Sequence, residues 1–117
     1  MYKLDQRTDR LEEPLRYLLL RCAEVVQKDY PGSRVILYGS QARGEATSES
    51  DVDLLVLLDC KTASKERSLV HDRIYEVGLD CDMVVSVIIK DLTQWEQPLW
   101  QATPLYQTIQ DEGILVA

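Results

Sequence analysis

Basic side chains are scarce in this sequence: 13 Lys and Arg stand against 20 Asp and Glu, a formal net charge of -7. An acidic chain repels polyanions, which speaks against nonspecific nucleic-acid binding, and any phosphate compound bound here needs a metal ion to offset the charge. Long apolar stretches are also missing. No run approaches the ~18 residues of a membrane span, and the opening MYKLDQRTDRLEEP is too polar for a secretory signal. The expected location is therefore the cytoplasm, with no membrane partner. Cys22, Cys60 and Cys81 lack C-x-x-C spacing, so they read as buried free thiols in a reducing compartment rather than a disulfide framework or metal site. The lone histidine, His71, sits between Val70 and Asp72 in a helical segment, where a surface or boundary position is expected rather than a catalytic one. No repeat, low-complexity tract or Pro/Gly-rich linker divides the chain, which predicts a single domain over residues 1–117.

What remains is globular in composition, 45% hydrophobic and 28% charged. A chain this short still buries roughly 60% or more of its unfolded surface. Leu11, Leu15, Leu18, Leu19, Cys22, Val25 and Val26 recur at intervals of three and four, one stripe of an amphipathic helix. Thr8 or Asp9 is placed to cap it, Pro14 fits its first turn and Pro31-Gly32 ends it. RVILYG reads as a short strand, and DVDLLVLLD as a strand buried on both faces. Ala63, Val70, Ile74 and Val77 follow helical spacing, with Gly78 as the stop. A third strand, CDMVVSVII, follows, then a short helix near Leu92 to Trp95 and a last helix in which Thr103 caps, Pro104 leads and Gly113 terminates. This order predicts an α+β (α/β) domain with a small mixed sheet flanked by helices.

The apolar run LLVLL is preceded by Asp51 and Asp53, which share one face of the strand while Val52 points into the opposite layer. Two ionised carboxylates about 5 Å apart repel by roughly 3 kcal/mol at an effective dielectric of about 20. The pair therefore calls for a cation or a shared proton. Carboxylate oxygens suit Mg²⁺, which commonly bridges to substrate phosphates. If the first two strands are antiparallel neighbours, Gly39 and Ser40 at the end of one lie beside the acids at the start of the other. A glycine permits close backbone approach, and Ser40 with the following amides offers donors to phosphate oxygens. A helix of about 15 residues separates the second and third strands, the usual crossover for a parallel pair. The third strand opens with Asp80 and Asp82. Asp82 directly precedes MVVSVII, as Asp53 precedes LLVLL, and is the favoured third acid; Asp80 stays open. Glu45 and Glu49 read as solvated loop acids, Tyr17, Tyr38, Tyr75 and Tyr106 as core or boundary residues, and Trp95 and Trp100 as core or a partner-facing patch.

The stretch GSQARGEATSESDVDLLV resembles the signature of the nucleotidyltransferase superfamily that includes DNA polymerase β. That signature runs G-S, a helical turn carrying A-R-G, S-D-x-D before an apolar run, and a distant third acid. Gly39, Ser40, Arg43, Gly44, Asp51 and Asp53 match in order and spacing, while Gln41 stands where the family often has Arg. The compact size and the ending TPLYQTIQDEGILV are similar to the minimal nucleotidyltransferases, or MNT proteins, and the resemblance covers about residues 10 to 115.

The resemblance implies that Gly39, Ser40 and Arg43 bind the nucleotide, with Arg43 also holding its turn through carboxylate or backbone contacts. It implies that Asp51, Asp53 and Asp82 hold two Mg²⁺ ions and catalyse transfer of AMP from ATP to a hydroxyl, with loss of pyrophosphate. MNT proteins of this kind are typically paired with a HEPN-family RNase toxin, so the implied acceptor is a tyrosine of that partner and the implied role that of an antitoxin, in a homo- or hetero-oligomer. Two other readings are an adenylyltransferase for a small molecule such as an aminoglycoside, and a non-catalytic antitoxin acting by occlusion.

Overall fold

A computed structural model describes residues 1–47 and 49–117, with Arg10 described by its backbone alone. In chain order the elements are β1 (Tyr2–Lys3), α1 (Glu13–Asp29), β2 (Arg34–Tyr38), α2 (Ser40–Arg43), β3 (Val52–Leu58), α3 (Ser64–Asp80), β4 (Val85–Asp91), α4 (Leu92–Trp95), α5 (Pro98–Gln101), α6 (Pro104–Glu112) and β5 (Ile114–Leu115). Two 3-10 turns, Leu4–Gln6 and Thr8–Arg10, link β1 to α1. The strands form one mixed sheet in the order β1-β5-β2-β3-β4. β2 runs antiparallel to β3 and to β5, while β3 and β4 are parallel and joined through α3. The mixed sheet flanked by helices is the predicted class.

β3 explains its own composition. Val52, Leu54, Val56 and Leu58 enter the core beneath α1 and α3, alongside Leu18, Leu19, Val70 and Ile74. Leu55 and Leu57 point the other way, into a smaller cluster with Ile36, Trp95 and Ile109 beneath α4 and α6. Each such side chain taken out of water contributes on the order of 1.5–3 kcal/mol, so a strand covered on both faces must be apolar almost throughout. Asp51 and Asp53 have the parity of Leu55 and Leu57. They lie toward the end of the strand where Asp53 is only half-buried and Asp51 is exposed, so the sheet face that is core at Leu55 is open two residues earlier.

Several local expectations change. α1 starts at Glu13, with Glu12 as a cap residue that makes no side-chain bond, because Thr8 and Asp9 are consumed in a 3-10 turn; Pro14 does occupy the first turn. Gly78 does not stop α3, which runs on to Asp80. It serves close approach instead: a Cβ there would lie 2.8 Å from the carbonyl oxygen of Met83, so the glycine lets the chain fold back under the helix end into β4. β4 begins at Val85, four residues later than the apolar run suggested. Tyr17 and Tyr75 are 61% and 59% exposed rather than core or boundary residues, whereas Tyr38 and Tyr106 are half-buried as expected. Cys60 is exposed and Cys81 half-buried, so only Cys22 is a buried thiol. Trp95 is core, its ring 5.1 Å from that of Tyr106, while Trp100 is half-buried with the Lys90 ammonium over its ring. His71 is exposed, as anticipated. The two-residue strands β1 and β5 and the single turn α5 carry too few residues to leave a periodic signal. No helix among the described residues is long and apolar enough to cross a membrane.

Candidate active site

The site is assembled at the end of β2. Tyr38 pairs with Asp53 in the antiparallel register, which brings the following residue, Gly39, against the Asp53 side chain. Gly39 has φ 80 and ψ -159, a region that is essentially glycine-only. A Cβ on it would sit 3.3 Å from Asp53 Cγ and would overlap Asp53 Oδ2. The backbone can pass this close to a carboxylate only because no side chain intervenes. From Gly39 the chain enters α2, a single helical turn in which the Arg43 amide donates to the Gly39 carbonyl at 3.1 Å. Ala42 anchors the turn by burial, and Gly44, at φ 72, closes it in the left-handed conformation. Ser40 opens the turn directly after Gly39.

Arg43 is held by two carboxylates. Its Nε donates to Glu45 Oε2 at 3.0 Å and its Nη1 to Glu112 Oε2 at 2.8 Å. Glu45 is an exposed loop acid, as expected, and also a partner of Arg43. The Asp53 carboxyl is pushed above its usual range, first by burial and then by the negative charge of Asp51; Arg43 opposes this and Glu112 adds to it. The charge of Asp51 thus bears on Asp53 in the folded site, second to burial.

The third acid is placed less directly. Asp82 lies in the turn after α3 at φ 54 rather than in β4. It lines a cleft of about 530 Å³ together with Asp51, Gln41, Glu12, Glu49 and Met83. Asp80 lines a separate groove between α1 and α3 with Arg21 and Val77, so of the two candidates Asp82 is the one that shares a cavity with Asp51. Among the described residues no group of three His, Cys, Asp or Glu side chains converges closely enough to hold a metal ion. The pair Asp51 and Asp53 on one strand face nonetheless has the donor chemistry that suits a hard divalent cation, which commonly takes one or two carboxylates and completes its shell with water and phosphate. The space beside the Gly39 backbone is taken by the Asp53 carboxylate itself.

Two residues at the site were not singled out from the sequence. Ser86 stands opposite Asp53 in the parallel β3–β4 register, on the same sheet face, and its Oγ lies 3.5 Å from Asp51 Oδ2. Its only sequence signal is the alternation 82, 84, 86, which becomes informative once the register of β4 is known. Glu112 carries no local signal, since an acid near a helix end is ordinary; the one hint is that Arg43 was expected to find carboxylates.

Comparison with known proteins places the chain in a family. Residues 19–116 match the family described as "Nucleotidyltransferase domain". A segment of 56 residues, 48% of the chain, is 41% identical to "Putative protein adenylyltransferase MJ0141" of Methanocaldococcus jannaschii, of which it spans 57%.

Proposed function

The chain belongs to the nucleotidyltransferase family, and from that premise we propose that it transfers AMP from ATP to a hydroxyl of another protein, a tyrosine of a HEPN-family RNase toxin, and so acts as a cytoplasmic antitoxin. One observation carries the reading above all: Asp51 and Asp53 on one strand face, with the Gly39-Ser40 turn passing against the Asp53 carboxylate. The relative named for protein adenylylation supports a protein acceptor, although only a little over half of that relative is aligned.

In this reading Gly39 admits the phosphates close to the backbone, the Ser40 hydroxyl donates to a phosphate oxygen, and Arg43 supplies positive charge beside an otherwise acidic site. Asp51 and Asp53 would hold Mg²⁺, with Asp82 lining the same cleft as Asp51, and the metal would supply the charge that neutralises the phosphates and polarises the α-phosphoryl group. The acceptor oxygen forms a bond to the α-phosphorus, the bond between that phosphorus and the bridging oxygen to the β-phosphate breaks, pyrophosphate leaves with the electron pair, and the hydroxyl proton passes to solvent. The net charge of -7 favours encounter with the basic RNA-binding face of an RNase. AMP added there places negative charge and bulk where RNA phosphates must sit.

The test is the intact mass of the neighbouring gene's product after incubation with this protein, Mg²⁺ and ATP. Addition of AMP, lost with Asp51→Asn and with Asp53→Asn, is the expected result. A partner that stays unmodified and is still inhibited points to occlusion instead.

A further inference from the structure

The phosphate-binding turn of this reading, α2, is four residues long, far below the length at which a helix holds itself together. Something outside it must fix its far end. Ala42 is buried, but it lies in the middle of the turn, and Gly44 beyond it favours no single conformation by itself. Arg43 makes the external contact: its guanidinium reaches Glu112, 69 residues away in sequence, at 2.8 Å.

Glu112 is unusually well placed to act as an anchor. It is the last residue of α6, and its side chain is only 17% exposed. The next residue, Gly113, donates its amide to Ile109 at 2.9 Å and leaves no room for a side chain, since a Cβ there would meet Ile36 Cγ2 at 3.1 Å. Immediately afterwards β5 pairs with β2 through Leu37 and Ile114. The Arg43–Glu112 ion pair therefore closes a ring: β2 leads through Gly39 into α2, Arg43 crosses to Glu112, and β5 returns to β2. Glu45 also holds Arg43 at 3.0 Å, but it lies in the exposed loop that follows, with a side chain 66% exposed. Of the two carboxylates, only Glu112 is fixed by the sheet.

We propose that Glu112 is a positioning residue for nucleotide binding: its carboxylate fixes Arg43 and thereby holds the Gly39–Arg43 turn in the conformation that receives the phosphates beside Asp53. This rests on the nucleotidyltransferase reading above. Glu112 touches no reacting atom; it holds the turn through Arg43, beside the direct effect of its charge on Asp53. The chemical step stays with Asp51 and Asp53, so losing Glu112 weakens capture of Mg-ATP more than it slows transfer.

The experiment has two arms. In the first, hydrogen exchange is measured on the nucleotide-free protein, wild type against Glu112→Ala and Glu112→Asp. Amides of residues 40–45 exchange faster in Glu112→Ala and recover in Glu112→Asp, while β3 and α1 stay protected as in wild type. Unchanged exchange at 40–45 overturns the proposal whether or not the protein binds ATP. In the second arm, KM and kcat for Mg-ATP are compared with a double-mutant cycle. An exposed charge-assisted pair of this kind supports a rise in KM of about two- to fivefold for Glu112→Ala with kcat within about twofold. That rise is absent when Glu112→Ala is made in the Arg43→Ala background. An effect that persists without Arg43, or that falls on kcat alone, refutes positioning through Arg43. A wild-type protein with no nucleotide binding refutes the proposed function instead, and the exchange arm still decides whether Glu112 anchors the turn.

Discussion

Replacing Gly39 by alanine separates two physical costs that meet at one atom. The first belongs to the backbone: at φ 80 and ψ -159 a residue with a Cβ occupies a region populated essentially by glycine alone, a strain of about 1–3 kcal/mol. The second is steric, because the new Cβ overlaps the Asp53 carboxylate and lies 3.3 Å from its Cγ. Displacing a side chain that is hemmed in on one side adds about 1–3 kcal/mol. The sum is about 2–6 kcal/mol, a large part of the 5–15 kcal/mol that holds a domain folded. For a chain of this length the melting temperature falls by about 8–24 °C. Urea unfolding should show the same loss as a lower midpoint with unchanged slope. The diagnostic step is the same substitution in the Asp53→Ala background, where the carboxylate is gone and only the backbone strain remains. The destabilisation there is smaller by about 1–3 kcal/mol, a coupling within the range for residues in contact. A Gly39→Ala protein within about 0.5 kcal/mol of wild type, or one whose loss is the same with and without the Asp53 side chain, refutes the argument that Gly39 exists to bring backbone against carboxylate.

The acid pair also makes a prediction about pH. Asp53 has its folded-state pKa raised by burial and by Asp51, so the folded state binds its proton more tightly than the unfolded chain does, and the stability this confers is present at acid pH and lost as pH rises through the folded pKa. In chelator, Asp53→Asn should therefore be at least as stable as wild type near neutral pH, with its advantage vanishing toward pH 3, while nucleotidyl transfer is abolished; destabilisation by this change at neutral pH would show a structural acid. The thiols give a third check, since burial pushes Cys22 up to about 12 and Cys60 is exposed. A thiol reagent at pH 8 should label Cys60 rapidly in the folded protein and Cys22 only after denaturation, and prompt labelling of Cys22 in the native state would contradict the closed packing of α1 on the sheet.

The sequence alone determined the class of the fold and the place of Asp51 and Asp53 at the start of β3. Apolar runs of strand length and stripes of helical spacing are local patterns, set by which faces of an element must leave water, and they located β2, β3, α1 and α3 to within a few residues. Asp51 and Asp53 were legible for the same reason: two charges beside a buried strand conflict with the pattern around them, and Gly39-Ser40 stands at the spacing that resolves the conflict. Tertiary structure decided everything that depends on register between distant segments. It set β4 in motion only at Val85, leaving Asp82 in a turn that shares a cleft with Asp51, and it placed Ser86 opposite Asp53. Gly78 reads as a helix stop because glycine commonly is one, yet its use is to admit the backbone of Met83, a contact that exists only once α3 and β4 are packed. Glu112 is the extreme case, an acid with no local signal that meets Arg43 across 69 residues because β5 pairs with β2. Periodicity records how one segment faces water, whereas the pairing of two segments depends on the free energy of the whole assembled sheet, which no short window of residues contains.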